Sequence, residues 1–481
     1  MLCWPRPFFL RPLQVAMATL VTALAPAAHG QSLIALYDAA RGHDASYQSA
    51  RAQYDANMAR AAQAQAGILP QVGLSATANR TEYDIHTAAG TGSIGRSTQS
   101  TGINATQPLY RPANWATYEQ GKRQVEIARS VLDTAEQDLI VRVSQAYFDV
   151  LTAQDNLFLV GAQKTAVAEQ LASAKRNFEV GTSTITDTRE AQARYDLVLA
   201  QEIALQNDLQ VKKIVLDQLV GRAGSAPAPL RMPVALPTLL PADVGAWLTQ
   251  AEELHPAILQ ARLGVDVAAL EVQKAEAGHQ PTLDATLGYN VSNNPQGTVS
   301  AAGRQRIQAA SVGVSFNLPL FAGFAVQNRV KETLALEQQS RAQLEAARRA
   351  VTQATQTAYL GLLSGAAQVK ALEAAEASSQ SALDANRLGY QVGVRINIDV
   401  LNAQSQLFQT KRDLAQARYN VLVGDLRLRQ ASGTLRATDL ALIAALLGGV
   451  AISGAVLPSA AVATPPAGVV AMPVRPAPAL R

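Results

Sequence analysis

Two hydrophobic periods divide the chain. Val125, Leu132, Leu139, Ala146, Ala153, Val160, Val167 and Ala174 recur at every seventh position, and Val143, Val150, Leu157, Leu171 and Phe178 form a second stripe. Leu344, Val351, Ala358, Gly365 and Leu372, with Leu362, Val369, Leu383 and Tyr390, repeat both stripes further along. This spacing predicts helices that pack along a shared seam. No proline occurs between Pro112 and Pro227 or between Pro319 and Pro458, so nothing in these stretches breaks a helix. A helix over 114–178 would be roughly 100 Å long. Each long helix should turn at a Val-Gly pair, Val180-Gly181 and Val392-Gly393, and return antiparallel. A shorter helix, over 33–66 and again over 244–277, opens each half of the chain.

Elsewhere the period is two. Val72, Leu74, Ala76 and Ala78 alternate with polar neighbours, as do Leu283, Ala285, Leu287, Tyr289 and Val291, then Val312, Val314, Phe316 and Leu318. Ile103, Ala105 and Leu109 do so more weakly. A half-buried soluble sheet gives this alternation, and so does a membrane barrel with apolar residues facing lipid and polar residues facing a water-filled lumen. Tyr83, Tyr110, Tyr289 and Phe321 lie near strand ends, where an aromatic girdle would sit. Four strands cannot close a barrel, and an open edge in lipid leaves backbone groups unpaired. A barrel would therefore need at least two chains. The segments 84–99 and 293–306, rich in Gly, Ser, Thr and Asn, are expected as loops facing the cell exterior.

The elements follow an internal repeat. Phe178-Glu179-Val180-Gly181 matches Tyr390-Gln391-Val392-Gly393, and Asp187 matches Asp399, Ala146-Tyr147 matches Ala358-Tyr359 and His43 matches His255, all at one offset. The expected organisation is a signal peptide over 1–30, a first repeat over 31–221, a Pro-rich connector over 222–241 and a second repeat over 242–433. An apolar segment over 434–457 and a disordered Pro/Ala-rich tail over 458–481 follow.

Composition narrows the function. Of 41 Lys+Arg against 37 Asp+Glu, Arg6 and Arg11 belong to the signal, leaving a nearly neutral chain without basic blocks and arguing against nucleic-acid binding. Those two arginines, the apolar run over 13–25 and the small residues at Ala28 and Gly30 have the layout of a secretory signal. The single cysteine, Cys3, lies within it, so the exported chain has no disulfide and no lipid-anchor cysteine. Gly90, Gly92 and Gly95 fit G-x-G-x-x-G by letter, but a strand rather than a helix should follow, which points to an exposed loop. The five histidines form no metal-ligand spacing, and no catalytic signature is present. No enzyme activity and no cofactor are expected.

The segments 177–187 and 389–402 carry the sharpest signal. With Ile68-Leu69-Pro70-Gln71, Ala193-Arg194-Tyr195-Asp196, Gly278-His279-Gln280-Pro281 and Ala417-Arg418-Tyr419-Asn420, they strongly resemble the TolC family of outer-membrane factors, across about 33–446. The resemblance implies an α+β membrane protein. Three chains, a homotrimer, would share a twelve-stranded β-barrel in the outer membrane, continuous with a long α-helical coiled-coil tunnel across the periplasm. Its partners would be a periplasmic adaptor (membrane fusion) protein and an inner-membrane ABC or RND-type transporter, with outer-membrane lipid around the barrel. The tips at Val180, Gly181, Val392 and Gly393 would close the tunnel like an iris. Gate links would pair Thr186 with Arg395 and Asp187 with Tyr390. Of the family's two acidic rings, Asp399 keeps the first position and Asn402 replaces the second. Capping of the following helices is a competing role for Asp187 and Asp399. A soluble periplasmic coiled-coil scaffold is the alternative function. It accounts for the signal and heptads but not for the strands.

Overall fold

The computed structural model describes residues 31–448, apart from 88–89, 232–238, 299–300 and 302. The signal, the tail and the end of the apolar segment lie outside the described residues.

The elements run α1 (Leu33–His43), α2 (Ala45–Gln65), β1 (Gln71–Thr87), β2 (Gly90–Tyr110), α3 (Pro112–Glu179) and α4 (Ile185–Val220). Then come α5 (Val244–Leu254), α6 (Pro256–Glu276), β3 (Thr282–Asn294), β4 (Gln305–Asn317), α7 (Ala325–Gln391), α8 (Asn397–Ala431) and the short α9 (Asp439–Leu446). The absence of proline permits 68 residues in α3 and 67 in α7. At 1.5 Å per residue each is about 100 Å long.

The expected opening helices are each broken in two. Asp44 leaves helical geometry and caps α2, its carboxylate accepting from Tyr47 N–H at 2.8 Å, while Arg142 grips it at 2.8 and 3.0 Å. In the second half Pro256 begins α6, and His255 Nδ1 accepts from Ala257 N–H at 3.1 Å.

The four strands form one antiparallel sheet in the order β1-β2-β3-β4. Its register sorts the faces. Val72, Ala105, Leu287 and Val312 form one row, and Leu74, Ile103, Tyr289 and Ala310 the next. Gly73, Asn104, Gly288 and Ser311 lie between them on the opposite face. Val72, Leu74, Val312 and Val314 are 66–83% exposed, which is the reverse of a soluble sheet's buried face. Within the segment 84–99, residues 84–87 and 90–99 are strand rather than the expected loop. Tyr83 pairs with Ile94 and His86 with Thr91, so Gly90, Gly92 and Gly95 belong to β2. Paired backbone on both strands overrides the turn-like composition. Between β3 and β4 the loop lies where the sequence placed it.

The largest core gathers where α1, α3, α4, α8, α9 and the connector meet. Tyr147, Phe148 and Tyr419 stack there, with ring centroids 5.5 and 5.6 Å apart. Leu440 and Ile443 of α9 complete it, so part of the C-terminal apolar segment, Asp439–Leu446, is a helix packed on this core. Among the described residues no helix is long and apolar enough to cross a membrane.

Candidate functional site: the helix-turn tips

Both tips are built alike. Gly181 and Gly393 adopt φ of 76° and 79°, the left-handed conformation a helix C-terminus favours in glycine. Thr182 and Ser183 N–H return to Asn177 C=O, and Val394 and Arg395 N–H to Gly389 C=O, at 2.8–3.2 Å. Val180 and Val392 occupy the C-cap positions and are exposed. Gly389 leaves room for Arg395, whose stem lies where a Cβ on residue 389 would stand.

The tips restart differently. Thr184 caps α4 through a reciprocal box: its Oγ1 accepts from Asp187 N–H at 3.3 Å, and Asp187 Oδ2 accepts from Thr184 N–H at 3.1 Å. Thr186 is exposed beside it. Asp187 is thus a cap in this chain. At α8 the cap position is Ile396, which offers no side-chain bond. Asp399, in the first turn of α8, faces Arg395 at 3.7 Å. Tyr390 Oη accepts from Asn177 Nδ2 at 3.2 Å, and Asn402 Oδ1 accepts from Arg194 Nη2 at 3.0 Å. Among the described residues, Thr186 is not bonded to Arg395 within one chain, nor Asp187 to Tyr390.

Behind the tips, α8 runs antiparallel to α3, and polar pairs flank the apolar contacts along their seam. Asp138 accepts from Gln430 at 2.6 Å, Gln145 from Arg427 at 3.0 Å, Asp155 from Tyr419 at 2.6 Å and Gln163 from Arg412 at 3.1 Å. Burial lifts the Asp155 carboxyl above the usual range. The seam ends at Asn397, a residue the sequence reading passed over. Its Oδ1 accepts from Gln170 Nε2, and its Nδ2 donates to Asp187 C=O at 3.3 Å. The signal was present: at the repeat offset Asn397 stands opposite Ile185, a polar residue facing an apolar counterpart. Among the described residues no group of three or more His, Cys, Asp or Glu is placed to hold a metal ion.

Comparison with known proteins agrees with these features. The model of the outer membrane efflux protein family matches residues 36–222 and 247–434. Outer membrane protein TolC of Vibrio cholerae is 32% identical over 438 residues, covering 89% of this chain and 96% of the relative. Proteases secretion protein PrtF of Dickeya chrysanthemi is 30% identical over 450 residues, covering 91% and 95%. The crystal structure of outer membrane protein VceC from Vibrio cholerae shares the fold, with a TM-score of 0.72 at 21% identity over 83% of this chain and 96% of that one. The soluble-scaffold alternative finds no support in these relatives. With the family model matching most of both repeats, the chain belongs to the outer membrane efflux protein family and is a protein of the outer membrane.

Proposed function

We propose that three copies of this chain form the exit duct of an export system, a passive conduit that catalyses nothing. The observation that carries this is the sheet. It has an apolar exposed face, a polar opposite face and two unpaired edges, β1 and β4. Joining edges between copies satisfies every backbone group, which lipid otherwise leaves unpaired at several kcal/mol each. Three copies give twelve strands, an even number within the range of closed outer-membrane barrels. The two repeats then give the periplasmic part six helical hairpins around a lumen.

In this reading the tips converge on the axis and close it. Thr186–Arg395 and Asp187–Tyr390 link neighbouring hairpins, and Asp399 with Asn402 lines the aperture. An adaptor protein and an inner-membrane ABC or RND-type transporter dock and open the tips by population shift. The likeness to a protease secretion protein favours type I protein secretion among the possible cargoes, beside drug efflux. The test is the mass and conductance of the purified protein in mild detergent. A trimer that forms channels in planar bilayers is expected, and a folded monodisperse monomer would overturn the closure reasoning.

A further inference from the structure

The first residue of α8 is a buried amide. Asn397 is 0% exposed, whereas Ile185, first in α4, is about half exposed. A polar side chain without water needs partners in the protein. Neither partner of Asn397 is on its own hairpin: Gln170 belongs to α3 and the Asp187 carbonyl to α4. The side chain therefore favours one placement of the α7–α8 hairpin against the α3–α4 hairpin. Leu401, one turn on, packs against Val167, Leu171, Ala174 and Ala191, a non-directional contact that tolerates sliding. The amide does not tolerate it, because a shift leaves buried donors and acceptors unpaired. Arg395, by contrast, is exposed to water, where its bonds are screened.

We infer that Asn397, with Gln170 and the Asp187 carbonyl, is the latch that holds each tip closed, a positioning residue for the gate. It rests on the duct reading above. Opening the iris means breaking this pair of part-buried bonds in each chain, and the water-exposed links play the smaller part. Gln404 supplies an internal control. It lies one heptad along and is 2% exposed, yet its Oε1 has no hydrogen-bond partner among the described residues. Burial in this seam does not by itself create a bond.

The test is single-channel recording in planar bilayers for Asn397→Ile, Gln170→Leu, the double variant and Gln404→Leu, with oligomer melting followed in parallel. Asn397→Ile imports the residue found opposite it in the repeat. It should raise the open fraction by about tenfold for each chain whose latch is lost, the size expected from losing one or two part-buried hydrogen bonds, and by more where the three tips open together. Gln170→Leu should give part of that rise, and the double variant no more than Asn397→Ile alone. Gln404→Leu should conduct like the parent. If Asn397→Ile fails to assemble, Gln170→Leu decides: a raised open fraction supports the latch and parental behaviour overturns it. Parental conductance in both variants, or opening by Gln404→Leu equal to that of Asn397→Ile, overturns the latch and leaves the duct standing. A parent protein that forms no channel overturns the duct reading and the latch with it.

Discussion

Replacing Arg395 by Ser should make the channel more cation-selective as well as easier to open. Arg395 and Asp399 face each other at 3.7 Å, four residues apart on one side of the tip. With Arg395 59% and Asp399 33% exposed, the pair itself contributes only about 0.3–0.5 kcal/mol, so removing the arginine hardly affects folding. Its effect on ions is larger. In the proposed trimer three arginines would cancel the three Asp399 charges, and without them three carboxylates would stand uncompensated. Each attracts a monovalent cation one Debye length away, about 10 Å at 0.1 M salt, by about 0.4 kcal/mol before screening. Screening cuts that to about 0.15 kcal/mol, and three together enrich cations about twofold. In dilute salt the same sum gives about eightfold. Reversal potentials under a KCl gradient measure this directly. Arg395→Ser should shift them toward the potassium potential, more strongly as salt is lowered, and Asp399→Ala should shift them the other way. A shift toward chloride on Arg395→Ser, or none at any salt concentration, would refute the account of Asp399 as an aperture charge.

Asp44→Ala should cost about 2 kcal/mol, the sum of a helix cap and a half-exposed arginine pair, read as a lower melting temperature. The hydrogen bonds from Arg142 hold the Asp44 carboxyl below the usual range, so its contribution is in place above the unfolded value near 4. It is lost as pH falls through the lower folded value, and Asp44→Ala should flatten that acid limb. Tyr147→Phe removes a hydroxyl that donates to Ala228 C=O at 2.9 Å and accepts from its N–H at 2.8 Å. It should lower stability by about 1–3 kcal/mol and make the 222–241 connector more sensitive to protease. An epitope tag in the loop between β3 and β4 should be reached by antibody on intact cells, and labelling only after outer-membrane rupture would invert the topology.

Long-range periodicity made most of the fold legible. Heptads and missing proline located α3 and α7, and the Val-Gly pairs located both turns, because these depend on residues adjacent in sequence. The break at Asp44 was hidden because Arg142, 98 positions away, helps hold it. Residues 84–87 and 90–99 looked like part of a loop because Gly, Ser and Thr favour turns, yet paired strands need no apolar side chains to exist. The tip residues Asp187, Tyr390, Asp399 and Asn402 could be singled out, but the in-chain partners of Tyr390 and Asn402 could not. Asn177 lies 213 positions from Tyr390, and Arg194 lies 208 from Asn402. Asn397 was missed for the same reason: its role depends entirely on helices from the other half of the chain.

The two open edges of the sheet have a genetic consequence. In the proposed trimer each chain supplies a third of the wall and its place cannot be left empty, so a folded subunit with a damaged edge enters assemblies and spoils them. If altered and normal subunits are made equally and mix at random in threes, only about one assembly in eight is wholly normal. A proline placed in the middle of β1 or β4 should therefore act dominantly, depressing export in cells that still carry an intact copy. A change that prevents the chain from folding should be recessive, because such a chain never reaches the ring.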